Sequence, residues 1–199
     1  PRDVTLGDID GDGRADLAAL FDEGDGGRVE ILVPDPRLDF PLAHEIVLDE
    51  PLTAIDLGRD PLSPLLDLVT GGGDILRYAF TGEHPTPIGR YTTDRVPAQA
   101  ELLAGGDFDG DGTDDIFVAG PYDPDGPRTL VVFDVAARPM QYLERTPVGA
   151  HVALHALDGQ TDLWTLDRAG ALRLLRYRDG SGREWSLGEL PAAGPLAVR

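Results

Sequence analysis

Gly7-Asp-Ile-Asp-Gly-Asp-Gly-Arg-Ala-Asp16-Leu17 recurs as Gly106-Asp-Phe-Asp-Gly-Asp-Gly-Thr-Asp-Asp115-Ile116, displaced by 99 residues. Self-similarity at a fixed period marks repeat architectures, so this pair sets the frame for every other segment. Two weaker copies fill the intervals: Asp56-Leu-Gly-Arg-Asp60 running on to Leu66-Asp67-Leu68, and Asp158-Gly-Gln-Thr-Asp162-Leu163. The Asp-Leu or Asp-Ile pairs then begin at 16, 67, 115 and 162, with spacings of 51, 48 and 47.

Around each copy lie short apolar runs. A second run rich in β-formers follows every acidic segment: Arg28–Val33, Asp74–Phe80, Arg128–Phe133 and Ala171–Tyr177. Glu45–Leu48 and Met140–Leu143 are examples of a further run, and Val4–Leu6 and Thr53–Ile55 precede the acidic segments. Runs of this length bounded by Gly, Pro and Asp read as strands, because a helix needs a longer stretch of 3.6-residue periodicity. With 25 Gly and 17 Pro spread along the chain, no amphipathic helix survives. Four short strands per unit predict an all-β β-propeller of about four four-stranded antiparallel blades. A β-sandwich with recurrent turns is the competing architecture. The predicted repeats are 1–50, 51–98, 99–147 and 148–194, and 195–199 begins a further strand, which makes the chain either a fragment of a larger ring or a closed four-bladed one.

The two complete acidic loops carry ligand spacing. With Asp8 as position 1, Asp10, Asp12, Arg14 and Asp16 fall at 3, 5, 7 and 9. Asp107, Asp109, Asp111, Thr113 and Asp115 repeat the series. Calcium takes six to eight hard oxygens, with Gly at position 6 for a sharp turn and a backbone carbonyl at position 7, which Arg14 and Thr113 would supply. Four carboxylates crowded together repel one another, and a divalent cation relieves them. Two Ca2+ sites are therefore expected, with magnesium disfavoured by its stricter octahedron. Turn chemistry alone is the bland alternative. Position 12 is Ala19 or Val118, where an EF-hand places a bidentate Glu, so an EF-hand is disfavoured. Gly58 stands where the second copy would need a carboxylate, and the fourth copy keeps only Asp158 and Asp162, so neither is expected to bind well.

Composition narrows the partners. The 199 residues hold 17 basic groups, all Arg, against 36 acidic ones, a net charge of −19 that repels phosphate backbones and anionic lipid. Nucleic acid is a poor partner, and no apolar run is long enough to insert in a membrane. The absence of Cys excludes disulfides and thiolate chemistry. No signal peptide is readable.

These residues resemble the FG-GAP or VCBS-type repeats of integrin α-subunit propellers and of many bacterial secreted or surface proteins, and Ala119-Gly120-Pro121 looks like the GAP half of that motif. The resemblance implies a seven-bladed ring and an extracellular, periplasmic or cell-surface interaction domain. It would bind a protein or glycan on the face opposite the calcium loops, where Asp22–Gly27 and Pro121–Gly126 are the longest loops. Tyr122 would sit at that rim, and Trp164 and Trp185 in strands.

An enzyme is the competing class, as part of a carbohydrate-active lyase or hydrolase. Ser occurs only at 63, 181 and 186 with no nucleophile elbow. His151 and His155 share a strand face without an evident third ligand. The spacing of the acids fits calcium better than a glycosidase pair. No catalytic residue is assigned, and a non-catalytic scaffold is the expectation.

Overall fold

The computed structural model describes all of the chain except residues 38, 59–63, 81–83, 93, 98, 108–114, 122–127, 135–140, 148–150, 158–159, 167–170, 179–180 and 190–199, and describes the backbone alone at 58, 102 and in the strands from 141 onward. Sixteen strands make four antiparallel sheets, each a four-stranded meander. The first comprises β1 (Asp3–Gly7), β2 (Asp16–Asp22), β3 (Gly27–Leu32) and β4 (Leu42–Leu48). The second comprises β5 (Leu52–Gly58), β6 (Leu65–Thr70), β7 (Asp74–Phe80) and β8 (Pro85–Thr92). The third comprises β9 (Leu102–Gly106), β10 (Asp115–Pro121), β11 (Arg128–Asp134) and β12 (Gln141–Pro147). The fourth comprises β13 (His151–Leu157), β14 (Gln160–Leu166), β15 (Ala171–Arg178) and β16 (Ser181–Glu189). No helix occurs among the described residues, and the all-β expectation holds.

Each sheet is regular in the same way. Tight Gly-rich turns such as Gly71-Gly72-Gly73 join neighbouring strands, with Gly73 at φ +85° where a side chain would be strained. The ladder between third and fourth strands is broken by a bulge in all four sheets, near Ile31, Arg77, Val132 and Leu172. A bulge increases local twist, which turns the fourth strand relative to the other three.

The first three sheets stack face to face. Ala18, Leu20, Val29 and Ile31 of the first meet Ile55, Leu57, Leu66 and Leu68 of the second. On its other side the second sheet offers Ala54, Val69 and Ile75 to Leu103, Ile116, Val118 and Val131 of the third. This explains the burial patterns: β3 alternates, as a strand with one covered face must, whereas β6, β7 and β10 are buried almost throughout. Close approach requires glycine at two joints. A Cβ at Gly27 would stand 2.5 Å from Leu52, and one at Gly120 would stand 2.2 Å from the carbonyl oxygen of Gln99.

Polar ties join the first strands of the first three sheets. The Ile55 amide donates to Asp3 Oδ2 (3.1 Å) and the Leu57 amide to Thr5 Oγ1 (3.4 Å), linking β5 to β1. Asp56 accepts from Thr5 Oγ1 at 3.2 Å and from the Gly105 amide at 2.7 Å, so one carboxylate spans all three sheets. Beside it in the register, Asp67 takes a bidentate pair of hydrogen bonds from Arg77, both 2.8 Å, with both residues buried.

Two weak copies of the acidic motif stand differently from their reading in the sequence. The second strands begin at 16, 65, 115 and 160, so Asp67 and Asp162 are each two residues inside a strand. Gly7 pairs with Asp16 and Gly106 with Asp115, but Gly58 pairs with Leu65. The cause is connector length: the sheet ladder, and not the Asp-Leu dipeptide, sets the phase. Asp60, Asp158 and the segment 195–199 lie outside the described residues.

Candidate metal centre

The loop between β1 and β2 is shaped by its own carboxylates. Asp8 accepts from the Gly11 amide through Oδ1 (2.8 Å) and from the Gly13 amide through Oδ2 (2.9 Å). Asp10 Oδ1 accepts from the Asp12 amide at 3.0 Å, and Asp12 Oδ1 from the Arg14 amide at 2.8 Å. These are the local side-chain to backbone bonds that Asp favours in turns. Gly11 and Gly13 take φ of +78° and +84°, so the glycine expected at position 6 does serve a left-handed turn.

The fold brings three of the expected ligands together. Asp8, Asp10 and Asp16 each place one carboxylate oxygen within 4.8 Å of the others. Asp8 and Asp10 are exposed, whereas Asp16 is fully buried at the start of β2. Asp16 Oδ2 accepts from the Ile9 amide at 2.6 Å, and Oδ1 has no hydrogen-bond partner. Burial raises the Asp16 pKa, the Ile9 amide opposes that, the Asp10 charge raises it while the Asp10 amide lowers it, and the Asp8 charge raises it further. A buried carboxylate oxygen without a donor, beside two more carboxylates, is a group that a cation would satisfy.

Asp12 stands apart. Its carboxylate meets the Arg14 guanidinium, with Nε at 2.7 Å and a second contact through a terminal nitrogen. That pairing holds the Asp12 pKa below the usual carboxylate range. Arg14 also donates to the Asp35 carbonyl at 3.3 Å. The donor set of Asp8, Asp10 and Asp16 is all hard oxygen, the ligand chemistry that calcium takes.

Of the second loop, Asp109, Asp111 and Thr113 lie outside the described residues. Asp107 follows β9 directly, and Asp115 is buried opposite Gly106, as Asp16 is opposite Gly7. His151 and His155 both stand in β13, opposite Leu166 and Asp162. Tyr122 and most of Pro121–Gly126 lie outside the described residues, and Trp164 and Trp185 fall in β14 and β16 as expected.

Sequence reasoning missed Asp56 as a joint between sheets. Its signal is a lone acid inside the apolar strand Leu52–Gly58, which requires partners there.

No protein-family model matches the chain, and no curated protein matches it. Solved structures do. A candidate 6-phosphogluconolactonase from Bacteroides uniformis superposes with a TM-score of 0.59 at 12% identity, over 92% of this chain and 52% of that one. A protein from Lactobacillus plantarum superposes with a TM-score of 0.53 at 13% identity, over 100% of this chain and 57% of that one. At such identity the likeness is one of fold, and the chain spans a little over half the length of these two structures.

Proposed function

We propose that the four sheets are consecutive blades of a β-propeller and that the β1–β2 loop holds a structural calcium ion, the whole acting as a non-catalytic ligand-binding scaffold. The observation that carries the metal is Asp16 Oδ1, buried and without a donor, within reach of Asp8 and Asp10. The β9–β10 loop, with Asp115 buried at the matching register, would hold a second ion. Modules that use calcium structurally outside cells bind it at about 10⁻⁴ to 10⁻³ M, which favours a secreted, periplasmic or surface location. A protein or glycan would bind at the rim opposite these loops. The test is calcium titration by calorimetry beside thermal unfolding in calcium or chelator. Wild type should bind and gain stability, Asp16→Asn should lose the first site, and a melting temperature indifferent to calcium would defeat the reading.

A second reading has one observation in its favour. The Bacteroides structure is described as a candidate 6-phosphogluconolactonase, so a hydrolase propeller is the alternative. Turnover of a sugar lactone by the purified chain, abolished by His151→Ala or His155→Ala, would decide for it.

A further inference from the structure

In the first sheet His44 stands directly opposite Ile31 across the β3–β4 ladder, beside the bulge, and Ile46 stands opposite Val29. Residues paired across an antiparallel ladder share a face, so His44 continues the row of Ile46 and Leu48 that packs against the second sheet. The row thus ends on a half-buried imidazole, where packing alone would take another aliphatic side chain. The second sheet brings an imidazole to the same place. Phe80 closes β7 and packs on the shared core, and His84, exposed, stands just before β8.

The His44 ring centre lies 6.0 Å from that of His84, with the planes edge to face at 81°, and 6.2 Å from that of Phe80. An ion bound to one nitrogen of each imidazole at about 2.0 to 2.1 Å keeps the two ring centres within roughly 6.4 Å of each other, and the observed separation falls inside that span. Neither turn chemistry nor strand alternation brings these two residues together; the stacking of the sheets does. Imidazole nitrogen suits zinc, copper and nickel, whereas calcium takes oxygen. Among the described residues the cluster of three candidate ligands is Asp8, Asp10 and Asp16, away from this pair, so an ion held here would keep water in its remaining positions. A net charge of −19 favours the approach of any cation to the exposed side of the pair.

We propose that His44 and His84 hold a divalent transition metal of the zinc, copper and nickel class between β4 of the first sheet and the entrance to β8 of the second. The ion differs in donor chemistry from the calcium of the β1–β2 loop and does not rest on that reading. Its effect is to fasten the far edge of the interface between the two sheets. Hydrogen bonds from Ile55 to Asp3 and from Leu57 to Thr5 tie the near edge, at β1 and β5, and apolar packing fills the middle. An ion shared by the two histidines binds only when the sheets are stacked, and so it stabilises the stack by mass action.

The experiment titrates the full chain with zinc chloride by calorimetry, in excess calcium so that the acidic loops are occupied, and follows the imidazole resonances by NMR. Zinc should bind, move the resonances of His44 and His84 together, and raise the melting temperature. His44→Ala and His84→Ala should each weaken zinc binding by about tenfold or more, and the double variant should lose little beyond either single, because one imidazole alone does not chelate. His84 is exposed and precedes β8, so its replacement tests the site even if His44→Ala fails to fold. His151→Ala with His155→Ala, which removes the other two histidines of the chain, should leave the affinity unchanged. No binding at up to about 1 mM zinc, binding indifferent to His84→Ala, or binding lost only with His151 and His155 would overturn the proposal. Asp16→Asn separates it from the calcium reading, because that variant should lose one calcium site and keep the zinc affinity of wild type.

Discussion

Asp56→Asn should stabilise the protein at alkaline pH and leave its stability near pH 4 unchanged. The Asp56 carboxylate lies among β1, β5 and β9, where burial is the main cause that raises its pKa from 3.8 to about 7; the nearby Asp67 charge adds to this, and the Gly105 amide and Thr5 hydroxyl oppose it. The charge that acts on it is Asp67 on β6, held by Arg77 on β7, while Asp3 on β1 accepts from the neighbouring Ile55 amide. A folded value above the unfolded one means that the fold holds the proton more tightly. The stabilisation is complete below about pH 4 and is lost as pH rises through about 7. At about 1.4 kcal/mol per pH unit, the gap is worth up to about 4 kcal/mol above pH 8. Asn is a fixed analogue of the protonated acid: its carbonyl oxygen can accept from the Gly105 amide, and its amide can donate to Thr5 Oγ1. Urea unfolding of both proteins across the pH range, in chelator so that the acidic loops act equally, measures the difference directly. Curves that run parallel, or an Asn variant less stable at every pH, would refute the assignment.

Three further outcomes follow from the packing. Arg77→Met alone should cost about 3 to 5 kcal/mol in urea unfolding, by stranding the buried Asp67 charge, and Asp67→Leu with Arg77→Met should recover most of it. Gly120→Ala should lower the melting temperature, at a cost of about 1 to 3 kcal/mol, because its Cβ would meet the Gln99 carbonyl and backbone yields reluctantly. Gly13→Ala has open space but φ of +84°, so it should cost about 1 to 2 kcal/mol in thermal unfolding through backbone strain alone.

The sheet count and strand positions were legible because each strand is a short apolar run closed by Gly, Pro or Asp, and such runs depend on local chemistry. The runs expected at Val4–Leu6 and Thr53–Ile55 fall in strands that begin at Asp3 and Leu52. The acidic cluster was legible for Asp8, Asp10 and Asp16, whose spacing projects them inward, but Asp12 is drawn off by Arg14 two residues away, a competition that motif spacing does not register. The phase of the weaker copies was not legible, since an Asp-Leu dipeptide occurs equally well at the end of a loop or inside a strand. Asp67 had a readable signal all the same. It and Arg77 lie equally far on either side of Gly72, the centre of a hairpin turn, and so must face each other across the ladder.

The stacking also sets the order in which the protein comes apart. Because each sheet in a linear stack is held by its neighbours, the second sheet loses two interfaces when it unfolds and the first loses one. The amides of β6 and β7, covered on both faces, therefore exchange with solvent only when the stack opens as a whole. Refolding runs the other way: a second sheet formed alone has both faces apolar and uncovered, so it persists only once a neighbour docks, and the nucleus is a pair of sheets, with the Asp3, Thr5 and Asp56 ties closing as the third arrives. The polar ties along the inner strands thus act in kinetics as register marks, since a stack slipped by one residue would leave each carboxylate facing no donor.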